Sequence, residues 1–173
     1  IDNMEPMSKT APESESPQGP EIDFDTAFQH VVGEVFRFRG MLIAAGERAT
    51  RDLNISVGCW QAMGVIRDEA MTVADISRRL GLARQSVQQS VNRLRDQELV
   101  ETIPNPSHRR APLIRLTASG NNTMNILRRR QAQIAARFTA DLGYTEDDLN
   151  ALAARLRKMW ERGATAQEDD FDW

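Results

Sequence analysis

The stretch TVADISRRLGLARQSVQQSVNRLRD, residues 72–96, decides the fold. Its apolar residues recur at helical spacing in two groups: Val73, Ile76 and Leu80, then Val87, Val91 and Leu94. Thr72 is a good N-cap for the first helix, and Gly81 stops it, so that only GLA separates it from a second helix over about residues 83–97. Two short helices joined by a three-residue turn with a glycine are typical of a helix-turn-helix.

A predicted β-hairpin follows the second helix. The runs LVETIP (99–104) and PLIRLT (112–117) are rich in strand-forming residues, and NPSHRRAP (105–112) with its Asn-Pro turn signal lies between them. Taken alone, this loop could be a catalytic loop with His108 as a base, a solvated turn, or a cationic loop that meets a polyanion. A hairpin directly after a helix-turn-helix favours the last interpretation, a wing beside a DNA duplex.

Long helices flank this region. Before it, an apolar seam recurs at alternating steps of four and three residues: Phe24, Phe28, Val31, Val35, Phe38, Leu42 and Ala45. This seam can be internal core or a dimer interface, and the sequence leaves the choice open. Ser56 is predicted to cap a helix that runs to about Glu69, and Thr117 a helix that runs past Leu142 to Gly143. Thr145 opens the last helix.

The fold class is therefore mainly α with a small β-hairpin wing: a winged helix-turn-helix core plus long dimerisation helices. The predicted organisation is a flexible acidic Pro/Ser-rich arm (1–22), an N-terminal dimerisation helix and linker (23–54), the DNA-binding region (55–116), C-terminal dimerisation helices (117–163) and an acidic tail (164–173).

The net charge of −3 hides a strong segregation of charge. Residues 1–25 carry −6 and residues 167–173 carry −4, which leaves +7 on residues 26–166. Within residues 72–116 there are eight arginines and four acids. A basic body with acidic ends is compatible with a nucleic-acid partner, although the overall pI of about 5.5 argues against one.

The second helix of the motif has the chemistry of a base-reading helix. With its apolar residues turned inward, its outer face carries Arg84, Gln85, Gln88, Gln89, Asn92 and Arg95. Arginine can bind guanine bidentately, and glutamine or asparagine can do so with adenine. The alternative is an ordinary solvated helix face.

The order of these motifs resembles the MarR family of bacterial transcriptional regulators. The resemblance runs from ISVGCWQAMGVI (55–66) through the motif and wing to the closing helices, about residues 25–163. It implies a homodimer that binds a roughly palindromic double-stranded operator. It places Arg84, Gln85, Ser86, Gln88 and Gln89 in the major groove, Arg110 at the wing tip and Arg109 on nearby backbone.

Two departures from the family pattern concern these residues. Ala83 replaces the usual Ser or Thr N-cap of the recognition helix, and Asn105, Ser107 and His108 replace acids before the wing arginines. His108 is expected either to order the wing through hydrogen bonds or, when protonated, to contact a phosphate.

Family members often bind a small aromatic or phenolic effector, and His30, Arg37, Trp60 and Met63 are the predicted lining here. Trp60 and Met63 can equally be core residues. No cofactor, metal or enzymatic activity is predicted: there are two histidines, and no phosphate-binding loop or metal-ligand spacing beyond His30 and Glu34 one helical turn apart.

The predicted function is a soluble, cytoplasmic, homodimeric repressor released by a small-molecule signal, without a membrane partner. Two alternatives remain. One is a winged-helix module that binds a protein through its acidic ends. The other is a redox-responsive regulator that switches through Cys59, which would have to be reactive rather than buried.

Overall fold

The computed structural model describes residues 24–168; the predicted arm (1–22) and the end of the predicted acidic tail lie outside the described residues. Its elements are α1 (Phe24–Thr50), a 3₁₀ turn (Arg51–Leu53), α2 (Val57–Val65), α3 (Val73–Leu80), α4 (Arg84–Asp96), β1 (Val100–Ile103), β2 (Leu113–Leu116), α5 (Ala118–Thr139) and α6 (Glu146–Glu168). The prediction of a mainly helical chain with one small antiparallel hairpin is confirmed.

The chain divides into two compact units between Leu42 and Ile43, so that α1 crosses the boundary. The described part of the first unit is the N-terminal portion of α1, residues 24–42. Six large apolar members of the predicted seam lie on it, and all are exposed by between 41% and 86%: Phe24, Phe28, Val31, Val35, Phe38 and Leu42. The seventh seam residue, Ala45, belongs to the second unit and is buried.

The second unit has a core built from α2, the helix-turn-helix, the hairpin and α5. Its largest fully buried side chains include Met63, Ile76, Leu94 and Leu127. Burying each such side chain contributes on the order of 2 kcal/mol. The core therefore fixes α4 and the hairpin relative to each other.

The four predicted hydroxyl N-caps are confirmed. Ser56, Thr72, Thr117 and Thr145 each accept a hydrogen bond from a backbone N–H three residues later, at 3.0–3.2 Å. Each bond satisfies one of the amide groups that a helix start leaves unpaired.

Several helix ends differ from the prediction. Helix α2 ends at Val65 rather than about residue 69, because Met71 leaves the helical path and pairs with Ile114 of β2 through two backbone hydrogen bonds of 3.1 and 2.8 Å. Helix α5 ends at Thr139 rather than beyond Leu142, and α6 continues to Glu168, beyond the predicted end at residue 163. The 3₁₀ turn after α1 was not predicted.

The hairpin is anchored where β1 and α5 begin. The Thr117 backbone N–H donates to the Leu99 carbonyl at 3.1 Å, and the Thr117 hydroxyl donates to the Glu98 carbonyl at 2.7 Å. Gly120 lies so close that a Cβ atom built on it would overlap the Leu99 carbonyl oxygen. Only a glycine therefore fits this position.

Candidate nucleic-acid interface

Helices α3 and α4 form the predicted helix-turn-helix. The turn begins at Gly81, whose φ of 62° is left-handed and suits glycine. The Ser77 hydroxyl donates to the Leu82 carbonyl at 2.5 Å, and the Leu82 N–H donates to the Ser77 carbonyl at 3.2 Å. These bonds close the turn and set the direction in which α4 leaves it.

Helix α4 buries one face and exposes another, as its spacing predicts. Val87, Val91 and Leu94 are buried. The predicted base-reading residues lie on the other side: Arg84, Gln85, Ser86, Gln88 and Gln89 are exposed, and Asn92 is half-buried. The structure therefore brings these side chains onto one surface, and their contacts with DNA remain a prediction.

Asn92 has an organising position that the sequence did not indicate. Its side-chain oxygen accepts from Gln88 Nε2 at 3.0 Å and from Arg95 Nη2 at 2.9 Å. One acceptor thus orients two exposed side chains of α4. The pairs lie at i,i+4 and i,i+3, the spacings at which helical side chains meet.

The start of α4 has no side-chain cap. Ala83 occupies the N-cap position and offers no acceptor, as predicted. The amide groups of the first turn consequently keep their hydrogen-bonding capacity, which favours negative charge such as a phosphate at this end of the helix.

The wing is a tight loop closed by Asn105. Its Nδ2 donates to the Ala111 carbonyl at 2.8 Å across the base of the loop, and its Oδ1 accepts from the Ser107 N–H at 3.0 Å. The backbone adds bonds from His108 N–H to the Asn105 carbonyl and from Ala111 N–H to the His108 carbonyl, at 3.3 and 3.0 Å. Asn105 therefore orders the loop that carries Arg109 and Arg110.

His108 has a smaller structural role than expected. Its ring is exposed, and within residues 24–168 only its backbone groups make hydrogen bonds. The hypothesis that the His108 side chain orders the wing is not supported. Its proposed phosphate contact stays a prediction.

Most of the arginines in this region lack an acidic partner. Arg78 pairs with Asp75, and Arg115 pairs with Glu101 across the hairpin at 2.9 Å. Within the described part of the chain, the other six form no salt bridge: Arg79, Arg84, Arg93, Arg95, Arg109 and Arg110. Arg79 interacts electrostatically with Asp68. The charge of these six arginines attracts a polyanion and makes such binding sensitive to salt.

Asp75 supports the start of α3 and is held ionised there. The Thr72 hydroxyl donates to its carboxylate at 2.6 Å, and this bond, together with the charge of Arg78, holds the pKa of Asp75 below its ordinary value against the effect of burial. The Thr72 hydroxyl also accepts from the Asp75 N–H at 3.1 Å, so these two residues together cap the start of α3.

The four predicted effector-binding residues have different environments. His30 and Arg37 lie in the first unit on α1, both exposed, and Arg37 pairs with Glu34. In the second unit Trp60 is half-buried, whereas Met63 is fully buried. Met63 is therefore a core residue, which was the alternative interpretation for it. That His30, Arg37 and Trp60 bind an effector stays a prediction.

A cavity that the sequence analysis missed lies between the end of α1 and α5. It has a volume of about 480 Å³, and its lining includes Arg48, Asp52, Arg130, Ile134, Arg137 and Phe138. Arg130 donates to Asp52 through both terminal nitrogens, at 2.6 and 2.7 Å, and to the Ala49 carbonyl. The bond from Arg130 lowers the pKa of Asp52. The sequence hints at this cavity only through the helical spacing of Arg130, Ile134 and Arg137, which puts them on one side of α5.

Other chemistry has little support among the described residues. Cys59 is buried, and its thiol lies 3.7 Å from the Ser90 carbonyl, a geometry that disfavours a redox switch. Across residues 24–168 no group of three His, Cys, Asp or Glu side chains is placed to hold a metal ion. In the same range, every helix is too short or too polar to cross a membrane.

Comparisons with known proteins agree with this architecture. A family model described as the MarR family matches residues 52–111. Uncharacterized protein Rv2011c of Mycobacterium tuberculosis is 33% identical over 132 residues, which are 73% of this chain and 92% of the relative.

The likeness to solved structures extends over most of the described chain. The transcriptional regulator BldR from Sulfolobus solfataricus has a TM-score of 0.69 at 16% identity, with 81% of this chain and 99% of that chain covered. CouR from Rhodococcus jostii RHA1, bound to p-coumaroyl-CoA, has a TM-score of 0.66 at 20% identity, with 82% and 95% covered. At these identities the likeness shows the winged-helix fold.

Proposed function

Because the chain belongs to the MarR family of transcriptional regulators, we propose that it binds a specific double-stranded DNA operator as a homodimer and represses the adjacent genes. Members of this family are transcription factors rather than enzymes. The observation that carries the proposal is the exposed face of α4, where arginine and amide side chains stand together over a buried apolar face. A merely solvated helix gains nothing from such a concentration of amides, whereas base edges pair with them.

The wing supplies the second contact in this proposal. Arg109 and Arg110 are exposed on a loop that Asn105 closes, and within the described residues neither has a carboxylate partner. An arginine presented on a narrow loop can enter a minor groove, where the potential is most negative. Arg110 is the wing-tip residue in this assignment, and Arg109 contacts nearby backbone phosphates.

Exposed apolar surface supports the homodimer. On α1 the seam from Phe24 to Leu42 is exposed, and on α6 Leu149, Leu152 and Met159 are exposed by between 42% and 54%. Exposed apolar side chains repeated along a helix in this way mark an interaction site on each of the two helices. In a two-fold dimer the two recognition helices would enter successive major grooves about 34–36 Å apart, which predicts a roughly palindromic operator.

We further propose that a small aromatic or phenolic effector releases the repressor. The related CouR structure contains p-coumaroyl-CoA, which makes this ligand class the first to test. His30, Arg37 and Trp60 are the predicted lining, and the cavity beside Arg130 and Phe138 is an additional candidate. Release of bound operator by aromatic acids or their coenzyme A esters would support the assignment, and failure of all of them would remove it.

The operator can be found by selecting genomic fragments that the protein binds and sequencing them. With that operator, fluorescence anisotropy of four proteins tests the docking: the parent, Arg110→Ala, Gln88→Ala and Arg115→Ala. We expect Arg110→Ala to weaken binding to all duplexes and to reduce the salt slope by about one. Gln88→Ala should instead change base preference, by about 1–3 kcal/mol at one base pair.

Arg115→Ala is the matched control, because it removes the same charge from the hairpin at a residue already paired with Glu101. It should bind nearly as the parent does. If neither Arg110→Ala nor Gln88→Ala changes DNA binding, the proposed docking is wrong. Weak, salt-insensitive DNA binding by a dimer that captures a protein partner would favour the protein-interaction alternative.

A further inference from the structure

Three polar side chains of α4 are joined by hydrogen bonds that meet at one oxygen atom. Arg95 Nη2 donates to Asn92 Oδ1 at 2.9 Å, and Gln88 Nε2 donates to the same oxygen at 3.0 Å. Gln88 and Arg95 are exposed, whereas Asn92 is half-buried. The proposed function uses Gln88 to contact a base and leaves open which base that is.

The direction of these hydrogen bonds is set by Arg95. A guanidinium group has only N–H donors, so Arg95 can bond to the Asn92 amide only through its oxygen. The positive charge of Arg95 strengthens this bond. Turning the Asn92 amide over would place its NH₂ group against the guanidinium and lose the bond. Arg95 therefore fixes Asn92 as a hydrogen-bond acceptor on this side of the helix.

An acceptor at Asn92 in turn decides how the Gln88 amide is oriented. Asn92 Oδ1 can bond to Gln88 only through Nε2, because Gln88 Oε1 has no proton to donate. The two bonds use both lone pairs of the Asn92 oxygen. Within residues 24–168, Gln88 Oε1 makes no hydrogen bond. Gln88 thus keeps its oxygen and one N–H group for the groove, and Asn92 is a positioning residue.

This orientation of Gln88 favours one base. In the major groove adenine presents an amino group that donates and N7 that accepts, which match the oxygen and the remaining N–H group of Gln88. Guanine presents two acceptors, O6 and N7, so its O6 would face the Gln88 oxygen. A freely rotating Gln88 amide could instead turn its NH₂ group toward O6 and tolerate guanine.

We propose that Asn92, held by Arg95, orients the Gln88 amide so that Gln88 binds adenine and rejects guanine. In the free protein water competes for these groups, whereas a DNA interface excludes water and strengthens their hydrogen bonds. Arg95 has further N–H groups for a phosphate while it holds Asn92. The choice of base rests on the proposed function, whereas the orientation of Gln88 does not.

The first experiment measures base preference with the full chain. Anisotropy compares the selected operator with duplexes changed at one base pair at a time, and the pair at which Gln88→Ala loses discrimination is the one that Gln88 contacts. There we expect the parent to bind adenine about tenfold more tightly than guanine, the size of one good amide–base pair. Preference for any base other than adenine overturns the proposal. So does a Gln88→Ala variant that discriminates at every pair as the parent does.

Substitutions of Asn92 and Arg95 separate orientation from affinity. Asn92→Asp keeps an acceptor for both neighbours and adds a negative charge, so it should bind every duplex more weakly and still prefer adenine. Asn92→Ala removes the acceptor, and the preference should fall to about threefold or less. At the exposed Arg95, Arg95→Lys keeps a donor-only cation and should retain the preference, whereas Arg95→Met should lose it. Full adenine preference in Asn92→Ala and Arg95→Met overturns the proposal.

A second experiment tests the orientation of Gln88 without DNA. Nuclear magnetic resonance of isotope-labelled protein gives the order parameter of the Gln88 side-chain amide. Gln85 is the internal control, because it is an exposed glutamine of the same helix whose side chain makes no hydrogen bond within the described residues. We expect Gln88 to be more rigid than Gln85 in the parent and equally mobile in Asn92→Ala. Equal mobility in the parent overturns the proposal. If no duplex is bound, the proposed function fails with the choice of base, and the order parameters still decide the orientation.

Discussion

Replacing Asn105 by alanine should open the wing while the second unit stays folded. The side chain makes two hydrogen bonds, one across the base of the loop to the Ala111 carbonyl and one to the Ser107 N–H. Alanine removes both and leaves the backbone bonds of His108 and Ala111 alone to hold the turn. The loop carries Arg109 and Arg110, so its order matters for any contact with a minor groove.

The size of the effect follows from the number of bonds lost. A hydrogen bond of this kind contributes about 1 kcal/mol net, so the closed loop loses about 2 kcal/mol at most. If DNA binding requires the closed loop, this loss corresponds to an affinity up to about 30-fold lower. Global stability should change much less, because a wing can open locally without unfolding the core.

Two measurements on the same protein separate these effects. Hydrogen exchange should show faster exchange of the His108 and Ala111 amides in Asn105→Ala, and anisotropy should show weaker operator binding. Ser107→Ala is the control, since the Ser107 side chain is not used and both Asn105 bonds remain. Unchanged amide exchange would refute the role of Asn105, and lost protection with unchanged affinity would refute the role of the wing.

Four further substitutions test other parts of the fold. In urea unfolding, Gly120→Ala should destabilise the protein by about 3 kcal/mol or more, because the new Cβ overlaps a backbone carbonyl oxygen. Gly64→Ala, in the exposed face of α2, is the control and should stabilise the protein by about 0.5–1 kcal/mol. Ala83→Ser should add about 1 kcal/mol by capping α4 and raise the melting temperature by about 2–4 °C. Asp52→Asn should lower the free energy of unfolding at about pH 7, because Arg130 depresses the folded-state pKa of Asp52. The ionised Asp52 stabilises the fold above the ordinary pKa range of a carboxyl group, and this contribution disappears as the pH falls below that range. A parent–variant difference that persists at about pH 2 would contradict the last expectation.

The sequence predicts the helix-turn-helix and its caps well, because their signals are local. Thr72 and Gly81 bound α3 through contacts with residues three or four positions away. The ends of α2 and α5 depend on longer-range or weaker signals. Helix α2 ends at Val65, and the chain after it runs to Met71, which pairs with Ile114, far away in the sequence. Leu142 fits the helical spacing of α5, yet it is exposed and follows Asp141 in a left-handed conformation.

The same distinction explains the interpretation of the wing. The Asn-Pro dipeptide predicts a turn, and the two flanking strands predict a hairpin. Which side chain orders the loop depends on the geometry of the closed turn, which brings Asn105 Nδ2 to the Ala111 carbonyl six residues away. Residue types alone suggested His108, because its titratable ring has the more conspicuous chemistry.

The apolar seam of α1 marks the limit of what helical spacing can decide. Steps of four and three residues specify that one face of a helix excludes water, but they do not specify which surface covers it. In the described chain the seam residues from Phe24 to Leu42 are exposed, which disfavours the internal-core interpretation. Burying each large side chain of this kind stabilises by about 1.5–3 kcal/mol, so a second copy of the helix gains several kcal/mol by covering them. The exposed seam is thus the structural reason to expect that the recognition helices act in pairs.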